Sequence, residues 1–200
     1  MLSNQYTKAL ETAHTLHQDH LRKGGGVPYV SHLLSVSSLV LKAGGTEAQA
    51  IAGLLHDSLE DQGDKVSYDD LKEQFGQEVA DLVLACTDET AETRKTTPWY
   101  ERKRQYLAKL EDMPREACLV ILCDKLDNIR DSRKESQTNL KDFWERFTEK
   151  KKGFLWFLGQ MCDVLEQWKG KEFKDMPVAQ LMVEEFQEIY RSIDEGHGAN

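Results

Sequence analysis

Apolar residues recur along this chain at intervals of three and four, with no sustained polar–apolar alternation of the kind a half-buried strand needs. That spacing predicts an all-α fold, because side chains three and four apart share one helix face and must find a common core. Two hundred residues with 40% hydrophobic content suit a single compact domain, and no internal repeat marks a second.

Local signals divide the pattern into helices. The first is expected from about Asn4 to about Leu21, with Ala9, Ala13 and Leu16 inward, until Gly24-Gly25-Gly26-Val27-Pro28 breaks it. A second runs from about Ser31 to Lys42 and stops at Gly44-Gly45. Thr46 caps a third, which carries Ala50, Ile51, Leu54 and Leu55 into His56 and Asp57. Ser67 opens a fourth, and Gly76 separates it from Gln77–Ala85. The polar stretch from Thr87 to Thr97 reads as a loop ahead of Pro98, and Pro114 opens a helix that passes Asp124 and ends near Arg133. Two packing helices follow, from about Leu140 to Trp168 and from about Val178 to Ile193. Their aromatic residues, Trp144, Trp156 and Trp168 with Phe143, Phe147, Phe154 and Phe157, favour core packing or a homo-oligomer contact over base stacking.

Composition narrows the function. A formal charge of −9 argues against a nucleic-acid polymer as partner, since backbone phosphates call for a broad basic face. It leaves room for a small phosphorylated substrate, because a metal and a few cations can reverse the field inside one pocket. No secretory signal and no membrane-length apolar run is visible, so a cytoplasmic protein with no membrane partner is expected. Cys86, Cys118, Cys123 and Cys162 lack CxxC spacing and sit in apolar contexts, as buried free thiols do.

The chemistry concentrates in Leu54-Leu55-His56-Asp57-Ser58-Leu59-Glu60-Asp61, where an apolar run meets four groups able to bind a metal or move a proton. On a continuous helix His56 lies above Glu60 and Asp57 above Asp61. Buried together, these carboxylates require a cation or a raised pKa; exposed, they make an ordinary solvated helix end. Leu122-Cys123-Asp124-Lys125-Leu126-Asp127-Asn128 repeats the logic, with Asp124 and Asn128 on one face. Arg22-Lys23, the glycines and Pro28-Tyr29-Val30-Ser31-His32 place cations beside a histidine at a helix start, which suits a phosphate near a metal; as surface charge, Arg22 and Lys23 would be unremarkable. His14, His17 and His20 share the first helix, where isolated histidines more often pack or solvate than hold a second metal.

In their order these motifs, with Thr87-Asp88 and Glu101-Arg102-Lys103-Arg104 between the second and the last, resemble the HD-domain metal phosphohydrolases. The resemblance is strongest to the branch of alarmone hydrolases that act on guanosine polyphosphates. It implies an HD-domain core over about 5–135, with a C-terminal helical extension over about 136–195. It also implies His32, His56, Asp57 and Asp124 as ligands of one divalent metal ion, Mn²⁺ in preference to Fe²⁺, Co²⁺ or Zn²⁺. Glu60 and Asp61 match the catalytic acidic pair, which orients or deprotonates the attacking water. Asn128 matches a sugar contact, Arg22 and Lys23 the loop facing base and phosphate, and Lys103 and Arg104 are candidates for the distal phosphates.

The chain departs from the pattern in three places. The loop from Arg22 to His32 is slightly longer than the common form, Leu33 follows the histidine where proline is usual, and Asp127 stands where histidine or tyrosine is common. The resemblance implies removal of pyrophosphate from the 3′ position of guanosine 3′,5′-bis(diphosphate). The longer loop keeps open another nucleotide, such as a nucleoside monophosphate or NADPH. A non-catalytic nucleotide sensor is the third reading, opposed by the intact Glu60 and Asp61.

Overall fold

The computed structural model describes residues 1–22, 26–88, 95–138 and 140–195. Their helices are α1 (Asn4–His17), α2 (Val30–Lys42), α3 (Glu47–Leu55), α4 (Ser58–Asp61), α5 (Tyr68–Phe75) and α6 (Gln77–Cys86). They continue as α7 (Trp99–Glu111), α8 (Arg115–Thr138), α9 (Leu140–Glu145), α10 (Lys150–Lys171) and α11 (Pro177–Glu195). The fold is all-α: among the described residues there is no strand, only an isolated antiparallel bridge between Leu21 and Pro28.

Helix α8 is the axis of the packing. Every residue from Ala117 to Asp124 is buried, a run hydrophobic on all sides that a helix tolerates only when neighbours surround it. Helices α2, α3, α6, α9 and α11 all lie against it. Arg130 of α8 ties α11 by two hydrogen bonds to Glu185, at 2.7 and 2.6 Å. Because both side chains are about one-third exposed, that ion pair contributes at most ~1 kcal/mol. One buried apolar cluster extends from Ala9 in α1 to Ile193 in α11.

Several sequence signals act as expected. Thr46 and Ser67 each close a capping box, with Gln49 and Asp70, an arrangement worth about 1 kcal/mol per cap. Gly45 ends α2 in close quarters, since a Cβ there would stand 2.6 Å from Val40 Cγ1. Phe143 and Trp168 are buried, and Trp144, Phe154 and Phe157 pack against the core. The cysteines are free, with Cys118 and Cys123 buried and Cys86 and Cys162 half-buried.

Other boundaries shift. Helix α1 ends at His17 rather than Leu21, because the chain turns to pair Tyr29 N with His20 O at 2.8 Å and Arg22 N with Val27 O at 2.8 Å. Helix α8 runs on to Thr138, past the expected end near Arg133. The helix expected from Leu140 to Trp168 is two helices, with a turn between Glu145 and Lys150 and a positive φ of 49° at Lys150. The helix expected to run unbroken through His56 to Asp61 bends at Asp57, whose φ of −91° and ψ of −1° lie in the sparsely populated bridge region.

Candidate active site

Three elements bring the site together. Helix α2 supplies His32 one turn from its start; the bend between α3 and α4 supplies His56 and Asp57; α8 supplies Asp124 where its buried run ends. Close approach of α2 to α3 is permitted by Gly53, where a Cβ would lie 3.2 Å from both the N and the Cα of Ser37.

His32 Nε2 stands 3.2 Å from Asp124 Oδ1 and 3.7 Å from Asp57 Oδ2. His56 Nε2 stands 3.0 Å from Asp57 Oδ2 and 3.5 Å from Asp124 Oδ1. Both histidines are almost wholly buried. His32, His56 and Asp124 each offer one donor atom, all within 4.8 Å of one another. The second nitrogen of each ring is engaged from behind: His56 Nδ1 donates to Gly53 O at 3.0 Å, and His32 Nδ1 donates to Asp127 Oδ2 at 2.6 Å. Each Nε2 thereby turns a lone pair toward the carboxylates.

This set fits a divalent cation. His56 Nε2 is buried and makes no hydrogen bond of good geometry, although Asp57 Oδ2 is close by. Lone pairs facing carboxylates repel unless positive charge stands between them, and donors about 2.1 Å from a common cation are separated by roughly 3–3.5 Å, close to the 3.0–3.7 Å found between histidine and carboxylate here. The electrostatics agree. Burial opposes charge on His56, yet Asp57 and Asp124 raise its pKa well above the ordinary value; His32 is raised likewise, by Asp124 and Asp127. Despite their burial, Asp57 is held down by His56, and Asp124 by Lys125 and both histidines.

Glu60 and Asp61 follow on α4, half-buried. Glu60 Oε2 accepts a 3.2 Å hydrogen bond from the backbone N–H of Asp88. Burial, with the charges of Asp57 and Asp88, raises the Glu60 carboxyl to about 7, the range a proton-transferring group needs.

The residues expected to meet substrate divide. Asn128 and Arg22 come together at 3.0 Å, and Asn128 Nδ2 donates to Asp124 Oδ1 at 2.5 Å, which joins both to the cluster. Arg22 also pairs with Asp131 at 2.8 Å. Lys103 ion-pairs with the Asp88 carboxylate and lies over the rings of Tyr106 and Phe157, whereas exposed Arg104 lies over Tyr100 and Trp156. Lys23 falls outside the described residues, as do Gly24, Gly25, residues 89–94 of the loop after Thr87 and His197. His17 is buried and stacks with His20 and Tyr29; neither histidine belongs to a metal-ligand group among the described residues.

Three contributors stand outside the expected site residues, although the sequence already marks Asp127 as a departure beside Asp124. Tyr29 Oη donates to Asp57 Oδ2 at 2.6 Å, Lys125 Nζ donates to Asp124 Oδ2 at 2.8 Å, and Asp127 backs His32. Tyr29 and Asp127 each lie three residues from a histidine or carboxylate of the cluster, and Lys125 adjoins one, so proximity in sequence was the available signal.

Known proteins resemble this chain in sequence and in fold. The family profile described as "HD domain" matches residues 9–149. The guanosine-3′,5′-bis(diphosphate) 3′-pyrophosphohydrolase MESH1 of Xenopus tropicalis is 37% identical over 106 residues, 52% of this chain. That match spans only 55% of the Xenopus protein's length. The mouse protein of the same name is 32% identical over 162 residues, covering 78% of this chain and 87% of its own. A solved structure of a metazoan ortholog of SpoT, described as hydrolyzing ppGpp and playing a role in starvation responses, superposes with a TM-score of 0.74 at 28% identity. It covers 96% of this chain and 97% of that one.

Proposed function

The chain belongs to the HD-domain family, and from that premise we propose that it hydrolyses guanosine 3′,5′-bis(diphosphate), releasing pyrophosphate from the 3′ position. The observation that carries this reading is the convergence of His32, His56, Asp57 and Asp124 from three elements, with Glu60 one turn beyond. The Xenopus and mouse relatives are named for that reaction.

His32, His56, Asp57 and Asp124 would hold one divalent cation; their mixed nitrogen and oxygen donors accept Mn²⁺, Fe²⁺, Co²⁺ or Zn²⁺, and the family resemblance favours Mn²⁺. When bound, such an ion acidifies water and draws charge from phosphoryl oxygens. The remaining work falls to side chains. Glu60, its carboxyl raised to about 7, accepts the proton of the attacking water at its carboxylate, and Asp61 assists in orienting that water. Asn128 and Arg22 lie side by side where a ribose and its phosphate would meet the cluster. Lys125 holds Asp124 ionised.

The single-domain reading is part of the same proposal, with an HD core over about 5–135 and an extension over 136–195 supported by the common buried cluster. So is a cytoplasmic location, which suits four free cysteines. No described helix is long and apolar enough to cross a membrane.

Mn²⁺-loaded protein given guanosine tetraphosphate should release pyrophosphate, and Asp124→Ala should abolish release. Intact substrate would reject the assignment. The Arg22–Asp131 pair, which engages a cation intended for substrate, favours another nucleotide as the second reading. A panel including nucleoside monophosphates and NADPH separates the two.

A further inference from the structure

Asp127 joins the site from outside the ligand set. It lies on α8 three residues beyond Asp124, and its carboxylate faces α2. One oxygen, Oδ2, accepts the His32 Nδ1 proton at 2.6 Å; the other, Oδ1, accepts a short hydrogen bond from the Ser35 hydroxyl. Ser35 is three residues beyond His32 on α2, so two residues of α2 meet two of α8. His32 reaches Asp124 with one nitrogen and Asp127 with the other, while Ser35 fixes the plane of the Asp127 carboxylate.

We propose that Asp127 is a positioning residue that locks His32 with its Nε2 lone pair facing His56, Asp57 and Asp124, and thereby sets the affinity of this cluster for a divalent cation. The assignment rests on the metal-site reading above but not on the identity of the substrate.

Two physical effects support it. An imidazole whose Nδ1–H is held by an anion cannot rotate or change tautomer without breaking a charge-assisted hydrogen bond, so Nε2 remains the free donor. The same anion draws the Nδ1 proton toward itself and makes Nε2 more basic, which strengthens its bond to a metal. His56 provides the internal contrast, since its Nδ1 meets the neutral carbonyl of Gly53 at the longer distance of 3.0 Å. The two histidines are thus backed unequally, and the more strongly backed one bridges α2 to α8. Asp127 is mostly sheltered from solvent, with 14% of its side chain exposed, so water offers little screening of this contact. Asp127 also lies within the field of Arg22, which offsets part of the cost of keeping a third carboxylate beside Asp57 and Asp124.

The test titrates Mn²⁺ alone into the metal-free full chain by calorimetry. Asp127→Asn, which preserves shape and removes charge, should weaken Mn²⁺ binding by about 10–100-fold while the metal-free protein keeps its helical content and melting temperature. Ser35→Ala, which leaves the carboxylate but frees its plane, should weaken binding by a smaller factor, and Asp127→Glu should regain part of what Asp127→Asn loses. Binding by a folded Asp127→Asn within about twofold of wild type would overturn the assignment. If Asp127→Asn does not fold, Ser35→Ala decides: weakened Mn²⁺ binding supports the role and wild-type binding overturns it. A wild-type chain that binds Mn²⁺ but leaves guanosine tetraphosphate intact removes the alarmone reading and not this one, whereas a chain that binds no Mn²⁺ removes both.

Discussion

Tyr29 Oη donates a 2.6 Å hydrogen bond to Asp57 Oδ2, the oxygen that also faces both histidines of the cluster. The phenol is held by its ring, stacked on His20 with centroids 4.1 Å apart, so its hydroxyl arrives with little freedom left. Burial and the Asp57 charge push the Tyr29 pKa far above its ordinary value, and the group therefore acts as a donor at any working pH. Tyr29→Phe keeps the stack and removes a hydrogen bond to a charged acceptor, worth about 1.5–3 kcal/mol. The expected outcome is a melting temperature several degrees lower for the metal-free protein, together with about a tenfold loss in Mn²⁺ affinity read by calorimetry. Unchanged affinity would show that Asp57 needs no such support.

Lys103 is tied to Asp88, and the backbone of Asp88 holds Glu60, so in the proposed mechanism this lysine would act through a carboxylate in place of a phosphate. Lys103→Met should therefore lower kcat about tenfold and leave KM nearly unchanged, the signature of a lost contribution to the chemical step. Steady-state kinetics on guanosine tetraphosphate separate the two parameters. A raised KM at constant kcat would return Lys103 to the direct phosphate contact that the sequence suggested.

As the proposed base, Glu60 would have to be ionised to accept a proton, and its buried carboxyl is raised to about 7. A divalent charge beside Asp57 acts in the opposite direction, so kcat/KM should rise with pH along a limb at or slightly below 7 and then level off. Glu60→Gln should remove nearly all turnover while Mn²⁺ still binds. A pH profile flat from about 5 to 8 would exclude Glu60 as the base.

Helix content, caps and the ordered polar clusters were legible because each follows from neighbours in sequence: Thr46 with Gln49, Ser67 with Asp70, Asp124 with Asn128. What sequence did not disclose depends on partners far along the chain. His17 is buried because Tyr29 turns back over it, Lys103 is neutralised by Asp88, and Asp127 finds His32 across 95 residues. The bend at Asp57 was missed for a related reason. An apolar run ending in His-Asp reads as continuing helix, and only convergence with α2 and α8 accounts for a residue held in the bridge region.

His17 gives a stability prediction. Burial lowers its pKa to about 4, against the partial opposition of Asp57, with His20, His56 and Lys65 also facing it. The folded protein thus binds this proton less readily than the unfolded chain, whose histidine titrates near 6.5. The contribution is fully present above 6.5 and is lost as pH falls toward 4, about 2–3 kcal/mol by pH 4.5. His17→Phe preserves the apolar stack with Tyr29 and removes the titration. Urea unfolding at several pH values should show the variant losing less stability than wild type between about pH 6.5 and 4.5, and parallel curves would contradict it.

Gly53 links fold to site most directly. It lies in α3, three residues before His56; its carbonyl takes the His56 Nδ1 proton, and its missing side chain lets α2 approach. In Gly53→Ala the added Cβ would meet backbone atoms of Ser37 at 3.2 Å, and helical backbone cannot yield as the end of a flexible side chain can. The helices must separate by a few tenths of an ångström, at a cost of about 1–3 kcal/mol for overpacking, reduced by the better helix propensity of alanine. Since His32 rides on α2 and His56 on the end of α3, the same displacement widens the distance between their Nε2 atoms. Gly53→Ala should therefore lower the melting temperature and weaken Mn²⁺ binding together. Gly45→Ala, also overpacked but against Val40 and Leu119, should lower stability while sparing Mn²⁺ affinity. Equal effects of the two variants on metal binding would mean that the Gly53 contact supports the core alone and does not set the spacing of the histidines.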